Sequence, residues 1–488
     1  MPRPEPETAT VLLDGSRLIG SVDRRIFGGF LEHLGRAVYG GVFDPTSALA
    51  DERGYRRDVI TAVRRMGMSA IRYPGGNFAS AYDWRDGVGE HRPVRREPAW
   101  EQTEPNTFGT DEFLAWCAAA NVEPIFTANL GTGTPSDAAE WVRHCAEQAS
   151  DGLPRASLWC LGNEMDGPWQ IGHTTAEDYA AKAWEASRRM REVDAGLTLL
   201  AAGSSGDFLP TYMQWDRTVL EACWEDVDLL GIHRYSHNRD GDSAWYLAEG
   251  VAVDGMIDEF ARLLREVGAR KRSTRTVRLA IDEWNVWYRA KGPQHERGGW
   301  RTGAPLLQEG YNLEDALVVG QYLASFIRHA DVVKLACLAQ VVNAIAPIIT
   351  TPTGLLKQTI YWPFALFARH ALPTAAEARV EGPAYDAGAR GRVPLLDAAA
   401  TTDAAGRWAV FLTNRSLDAP LYAKLAWRNE APSKRGEAWR LAGDDPREAN
   451  TFAEPARVVP HEIEAPPING VAAELSLPPL SLTVLTFG

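Results

Sequence analysis

The sequence predicts an α/β chain: a (β/α)8 TIM barrel followed by an all-β sandwich. Three observations carry this. From about residue 25 to residue 370, short apolar runs alternate with amphipathic stretches, the pattern of parallel strands joined by helices. Two of those runs, at 157–161 and 277–281, each deliver a glutamate just beyond the run, Glu164 and Glu283. Strand ends of a barrel converge on one face, where functional groups gather. From about Ala375 the helical pattern stops, and short strands broken by polar turns replace it. The domains read as 22–372 for the barrel and 373–488 for the sandwich. Residues 1–21 read as an N-terminal hairpin packing on the sandwich.

Taken in order, residues 8–13 and 17–19 are two short strand-like pieces around Asp14-Gly15, hence the hairpin. Barrel strands are predicted at 25–30, 69–73, 123–129, 157–161, 197–202, 227–232, 277–281 and 332–339. The second stops at Pro74-Gly75-Gly76, where the glycine pair permits a tight turn near a ligand. Helices are predicted at 56–66, 110–120, 137–150, 215–223, 255–267, 313–329 and 361–370. Another opens near Thr174-Thr175-Ala176-Glu177, which carries capping-box chemistry in one of two registers. Two long polar excursions interrupt the pattern, from Tyr82 to about Asn106 and from Trp287 to Gly310. The second reads as a lid or rim. Sandwich strands are predicted at 376–380, 395–400, 407–414, 422–425 and 482–487.

A chain of 488 residues suits a large barrel with a second domain. The net charge of −13, from 51 basic and 64 acidic residues, disfavours nucleic acid as partner. No apolar run reaches membrane-spanning length, and residues 1–10 are polar without a signal-peptide core, so a cytoplasmic protein with no membrane partner is expected. The five cysteines form no CxxC pair and read as reduced core residues. There is no Walker loop, dinucleotide fingerprint, GxSxG elbow or HExxH motif. His233 and His237, four apart after a strand, are a weak metal signal, so no metal or other cofactor is expected.

Two carboxyl groups over one barrel face are the minimal set for cleaving a glycosidic bond. Either glutamate alone also fits a helix cap or an ion pair; the two together, each bounded by Trp and Asn, favour chemistry. Glu32 fits either a structural ion pair or an acceptor for a sugar hydroxyl. Asp282 alternates away from Glu283 and reads as the structural partner of a barrel arginine. Tyr235 either packs on the rim or hydrogen-bonds Glu283. Seventeen tryptophans are many for the chain; Trp84, Trp169, Trp287 and Trp300 fit sugar platforms as well as loop cores.

Longer segments go further. They include Phe30-Leu31-Glu32-His33-Leu34-Gly35-Arg36, Ile71-Arg72-Tyr73-Pro74-Gly75-Gly76-Asn77 and Tyr82-Asp83-Trp84-Arg85-Asp86-Gly87. The stretches Leu161-Gly162-Asn163-Glu164-Met165-Asp166-Gly167-Pro168-Trp169 and Gln340-Val341-Val342-Asn343 join them. With these the chain resembles glycoside hydrolase family 51, the α-L-arabinofuranosidases, over nearly its whole length. The resemblance implies that Glu164 is the acid/base and Glu283 the nucleophile of a retaining, exo-acting enzyme on arabinan- or arabinoxylan-derived oligosaccharides. It implies that Glu32, Asn77, Asn163, Tyr235 and Gln340 hold the arabinose. It further implies a jelly-roll-like sandwich and a homo-oligomer, commonly a hexamer. His233 is a further candidate for orienting the site. The rim excursions do not match the family motifs. Rival readings are a β-xylosidase or endo-β-glucanase on the same scaffold, or a noncatalytic carbohydrate-binding protein.

Overall fold

Eight parallel strands close on themselves in chain order. They are Gly28–Phe30, Ala70–Tyr73, Glu123–Ala128, Leu158–Leu161, Thr198–Ala202, Leu229–Ser236, Arg278–Val286 and Val333–Ala339. The eighth returns to the first, with Cys337 opposite Gly28. The computed structural model describes residues 7–488. Strands covered by helices outside and side chains inside are buried on both faces, which is why they read as unbroken apolar runs. Leu158–Leu161 is buried at every position.

Strand one is shorter than the sequence predicts. Asp23 accepts a hydrogen bond from the Arg25 amide and caps a short 3₁₀ turn, Arg24–Phe27, before the chain extends. Strands six and seven are longer. They remain paired through polar residues, with Glu283 opposite His233, Trp284 opposite Arg234 and Asn285 opposite Tyr235. Between Ala280 and Glu283 the register shifts, a bulge that re-aims Asp282 and Glu283. Thr175 caps the helix Ala176–Val193 by accepting from the Asp178 amide, which settles the register.

Ten strands form the second sheet. Its strands Leu396–Thr402 and Trp408–Asn414 are buried on both faces. Ala398, Ala400, Val410 and Leu412 point into the sandwich's own core, whereas Ala399, Ala409 and Phe411 join the barrel's core. Phe411 stacks on Phe367 of the last barrel helix at 4.1 Å. The helix Leu313–Arg328, buried along its length except at Arg328, lies against both domains and is apolar nearly all round for that reason.

The predicted N-terminal hairpin is instead one strand, Glu7–Ser21. It runs antiparallel to Thr374–Glu381 and parallel to Leu421–Trp427. The turn-like Asp14-Gly15 is real but local. Asp14 accepts from the amide and hydroxyl of Ser16, and the residues between Asp14 and Leu18 bulge out while the partner advances one residue. Among the described residues no helix is long and apolar enough to cross a membrane.

Candidate active site

The carboxylates meet above the strand ends. Gly162 and Glu164 both take positive φ, 88° and 45°, so the backbone turns sharply off strand four. Glycine tolerates this; for a glutamate it is an unfavourable conformation that surrounding contacts must hold. Glu283 arrives from the bulged strand seven. Glu164, His233 and Glu283 each offer one side-chain atom within 4.8 Å of the others. His233 Nδ1 lies 2.9 Å from Glu164 Oε1 and 3.6 Å from Glu283 Oε2, and its Nε2 lies 3.6 Å from Asp282 Oδ1.

Beneath them Arg72, wholly buried, spreads its guanidinium over three partners. It donates to Glu283 Oε2 at 3.1 Å and to Asn163 Oδ1 at 2.6 Å, and lies 3.4 Å from Asp282 Oδ2. The Phe30 ring covers it at 4.6 Å. Tyr235 donates its hydroxyl to Glu283 Oε1 at 2.7 Å, and Trp287 packs edge-on against Tyr235. Glu164 also accepts from the Trp169 indole.

Glu32 faces this group from strand one's end. It accepts from the Phe78 amide at 3.0 Å, the Trp100 indole at 2.9 Å and Gln340 Nε2 at 3.1 Å. Gln340 Oε1 in turn accepts from the Glu32 amide. The glycine pair at 75–76 is required by close approach: a Cβ on Gly76 would stand 2.5 Å from a Glu32 oxygen. Asn77 follows, half-buried, and among the described residues its side chain makes no hydrogen bond.

Four buried carboxyls thus share two cationic groups, and the charges sort themselves. Burial pushes Glu32 up to about 8, with the Glu283 charge adding to it and the Phe78 and Trp100 hydrogen bonds opposing. Burial raises Glu164 as well, aided by Glu283 and opposed by the hydrogen bond from His233. Burial pulls His233 down, but Glu283, Asp282 and Glu164 outweigh it and leave it well above the usual imidazole range. Burial works to raise Asp282; Arg72 and His233 prevail and hold it low. Burial thus favours the neutral form of Glu32 and works toward it at Glu164, while Arg72 and His233 favour the ionised form of Asp282. The three atoms that a metal would take are engaged in this network.

Comparisons with known proteins show what the chain is similar to over nearly its whole length. The "Alpha-L-arabinofuranosidase 1 domain" matches residues 62–247, and the "Alpha-L-arabinofuranosidase C-terminal domain" matches residues 282–481. An intracellular exo-α-(1→5)-L-arabinofuranosidase of Streptomyces lividans is 40% identical, over 97% of this chain and 74% of its own. The Bacillus subtilis protein of that name is 38% identical, over 98% of both chains. A solved family 51 α-L-arabinofuranosidase of Bifidobacterium longum is 34% identical, with a TM-score of 0.93 over 99% of this chain and 100% of its own. The chain belongs to the family 51 α-L-arabinofuranosidases.

Not every predicted residue reaches this family's site. Trp84 does not: its indole donates to the Asp137 carbonyl and its ring lies parallel to Trp141, on the flank of the barrel. Trp300 is half in solvent under the Arg96 guanidinium, on the rim. Trp169 and Trp287 do reach it. The residues that reading the sequence missed are Arg72 and Trp100. Arg72 had a signal, as a lone charge inside the apolar strand Ala70–Tyr73. Trp100 had none, being one aromatic in a polar loop. A crevice of about 630 Å³ between the helices Pro135–Ser150 and Ala176–Val193 carries no strand-end group and is not the site.

Proposed function

We propose that the chain is an exo-acting, retaining α-L-arabinofuranosidase, with Glu283 as nucleophile and Glu164 as acid/base. One observation carries the reading: oxygens of the two carboxyls lie within 4.8 Å of each other. Retaining glycosidases place them about 5–5.5 Å apart, too close for a water between. Glu283, held by Arg72 and Tyr235, attacks the anomeric carbon. The glycosidic C–O bond breaks as the Glu164 proton passes to the departing oxygen. Water then attacks the glycosyl-enzyme, giving its proton to Glu164 and releasing Glu283. Asn163, fixed by Arg72 and 3.3 Å from Gln170 Oε1, meets the hydroxyl beside the reacting carbon, where a contact strengthens in the transition state. Glu32, Asn77, Tyr235 and Gln340 contact the other arabinose hydroxyls. Buried polar groups left unpaired by a pyranose are the basis for rejecting xylosides.

Exo action is supported by the rim. The loops after strands two and seven are hydrogen-bonded to each other: Gly298 to the Trp100 carbonyl, Trp300 to the Glu101 carbonyl, and the Thr103 hydroxyl to the Trp300 carbonyl. This walls one side of the mouth and suits a pocket for one terminal sugar. The relatives' names support an intracellular enzyme acting on oligosaccharides of α-linked arabinofuranose, and the family supports a homo-oligomer, in form a hexamer. The test compares catalytic efficiency on an aryl α-L-arabinofuranoside and an aryl β-D-xylopyranoside, with proton NMR of the first-formed anomer. Preference for the arabinoside with α-arabinose released first is expected; a better xyloside, or β-arabinose first, overturns the reading.

A further inference from the structure

Two large aromatic rings stand in solvent side by side at the mouth. Trp169 is 42% exposed and Phe208 71%; their centroids are 5.9 Å apart and their planes differ by 31°. Trp169 follows strand four and donates to Glu164, so it stands where a departing sugar leaves. Phe208 follows strand five and lies one ring further out. Single exposed apolar side chains are ordinary on a protein surface, but this pair is built. Each ring is backed by a glycine two residues before it. A Cβ on Gly167 would stand 2.5 Å from the Trp169 ring, and one on Gly206 would stand 2.4 Å from the Phe208 ring.

The loops carrying the rings are also pinned. Ser205 donates its amide to Asp166 Oδ2 at 3.1 Å, and its hydroxyl bonds the other oxygen. This ties the Phe208 loop to the turn that holds Glu164 and Trp169. On the far side Asp207 accepts from Arg234 at 3.3 Å. Arg234 is itself held by the buried Glu249. Exposed rings fixed in advance bind with little loss of side-chain freedom. Aromatic faces match the apolar face of a sugar ring.

We infer that Phe208 is a specificity-determining residue. Trp169 seats the sugar bonded to the departing oxygen, and Phe208 takes the next sugar of a linear oligosaccharide. The inference rests on the reading above that Glu164 protonates that oxygen. It is tested with purified full-length enzyme on the α-linked arabinofuranose disaccharide and trisaccharide. For the wild type, kcat/KM is expected to be higher on the trisaccharide. In Phe208→Ala that advantage falls about five-fold, chiefly through KM, as expected for a partly covered ring face; Phe208→Trp keeps it. Gly206→Ala, which displaces the ring without removing it, lowers it as well. A trisaccharide-to-disaccharide ratio identical in the wild type and Phe208→Ala overturns the inference while leaving the activity intact. An enzyme that cleaves neither oligosaccharide overturns the reading beneath it, and the inference with it.

Discussion

The two sides of the barrel mouth are built in opposite ways. On one side the loops after strands two and seven cross and hydrogen-bond, and the wall they make reaches inward: Trp100 donates to Glu32, itself buried. Its aromatic is a ligand of the site. On the other side the turns after strands four and five hold Trp169 and Phe208 outward, 42% and 71% exposed. Side chains of one kind do different work because of what backs them. Trp100 and Trp169 each donate to a carboxyl of the site, but Trp169 keeps a face in water, and Phe208 beside it is more exposed still. On the function proposed above, the closed side would set which sugar is accepted, and the open side what it is attached to.

The largest effect separates chemistry from both walls. Glu283→Ala is expected to lower turnover of every substrate on the order of 10⁵-fold. Added azide should restore it as a glycosyl azide of inverted configuration; full activity in the variant would remove Glu283 from the nucleophile's role. Next is Glu164→Ala, which should cost about 10²- to 10⁴-fold on poor leaving groups and far less on an activated aryl arabinoside. Equal losses on both, measured by steady-state kinetics, would leave Glu164 only a positioning part.

Smaller effects probe the closed wall. Trp100→Phe keeps the ring but removes the donor to Glu32; about a ten-fold drop in kcat/KM is expected on all arabinosides alike. A drop confined to long substrates would move Trp100 to the open side. Glu32→Gln should change the pH dependence of stability. With its carboxyl at about 8 rather than the ordinary 4.5, native Glu32 keeps a proton that the unfolded chain releases. Stability from this group is thus present at low pH and lost as pH rises from about 4.5 to 8. Melting temperatures between pH 5 and 8 should fall less steeply in the variant; parallel curves would place Glu32 outside the titration. The smallest expected effect is none: exhaustive chelation should leave the rate unchanged, since Arg72 and His233 already supply the positive charge. Loss of activity restored by a divalent cation would contradict that.

Much of this was legible because burial leaves a pattern. Glu164 and Glu283 stood out as acids closing apolar runs, and Asp282 as the residue pointing the other way, where it meets Arg72. The alternation of strands and helices marked the barrel for the same reason. What stayed hidden depends on contacts distant in sequence. His233–Ser236 and Asp282–Val286 look like loops because they are mostly polar, yet backbone pairing across a bulge makes them strand. The link from Trp100 to Glu32 has no local signature. The strands Arg435–Ala442 and Ala472–Leu477 are partly exposed and broken by charged or polar residues, so no unbroken apolar run announced them. Trp84 showed an aromatic near the right loop but not which way it turned.

The strand Glu7–Ser21 has a consequence for how the protein is made. It lies inside the ten-stranded sheet, between Thr374–Glu381 and Leu421–Trp427. During synthesis it therefore emerges long before either neighbour exists, and the whole barrel is translated in the interval. Its bonding edges have no sheet to join until the last quarter of the chain appears. An unpaired strand of this kind is a template for wrong association. The strand's own composition limits the hazard, since only Ala9, Val11, Leu13 and Asp14 become buried in the finished sheet. The sheet thus closes only once residues 374–427 have followed the barrel, around a strand made before the barrel itself.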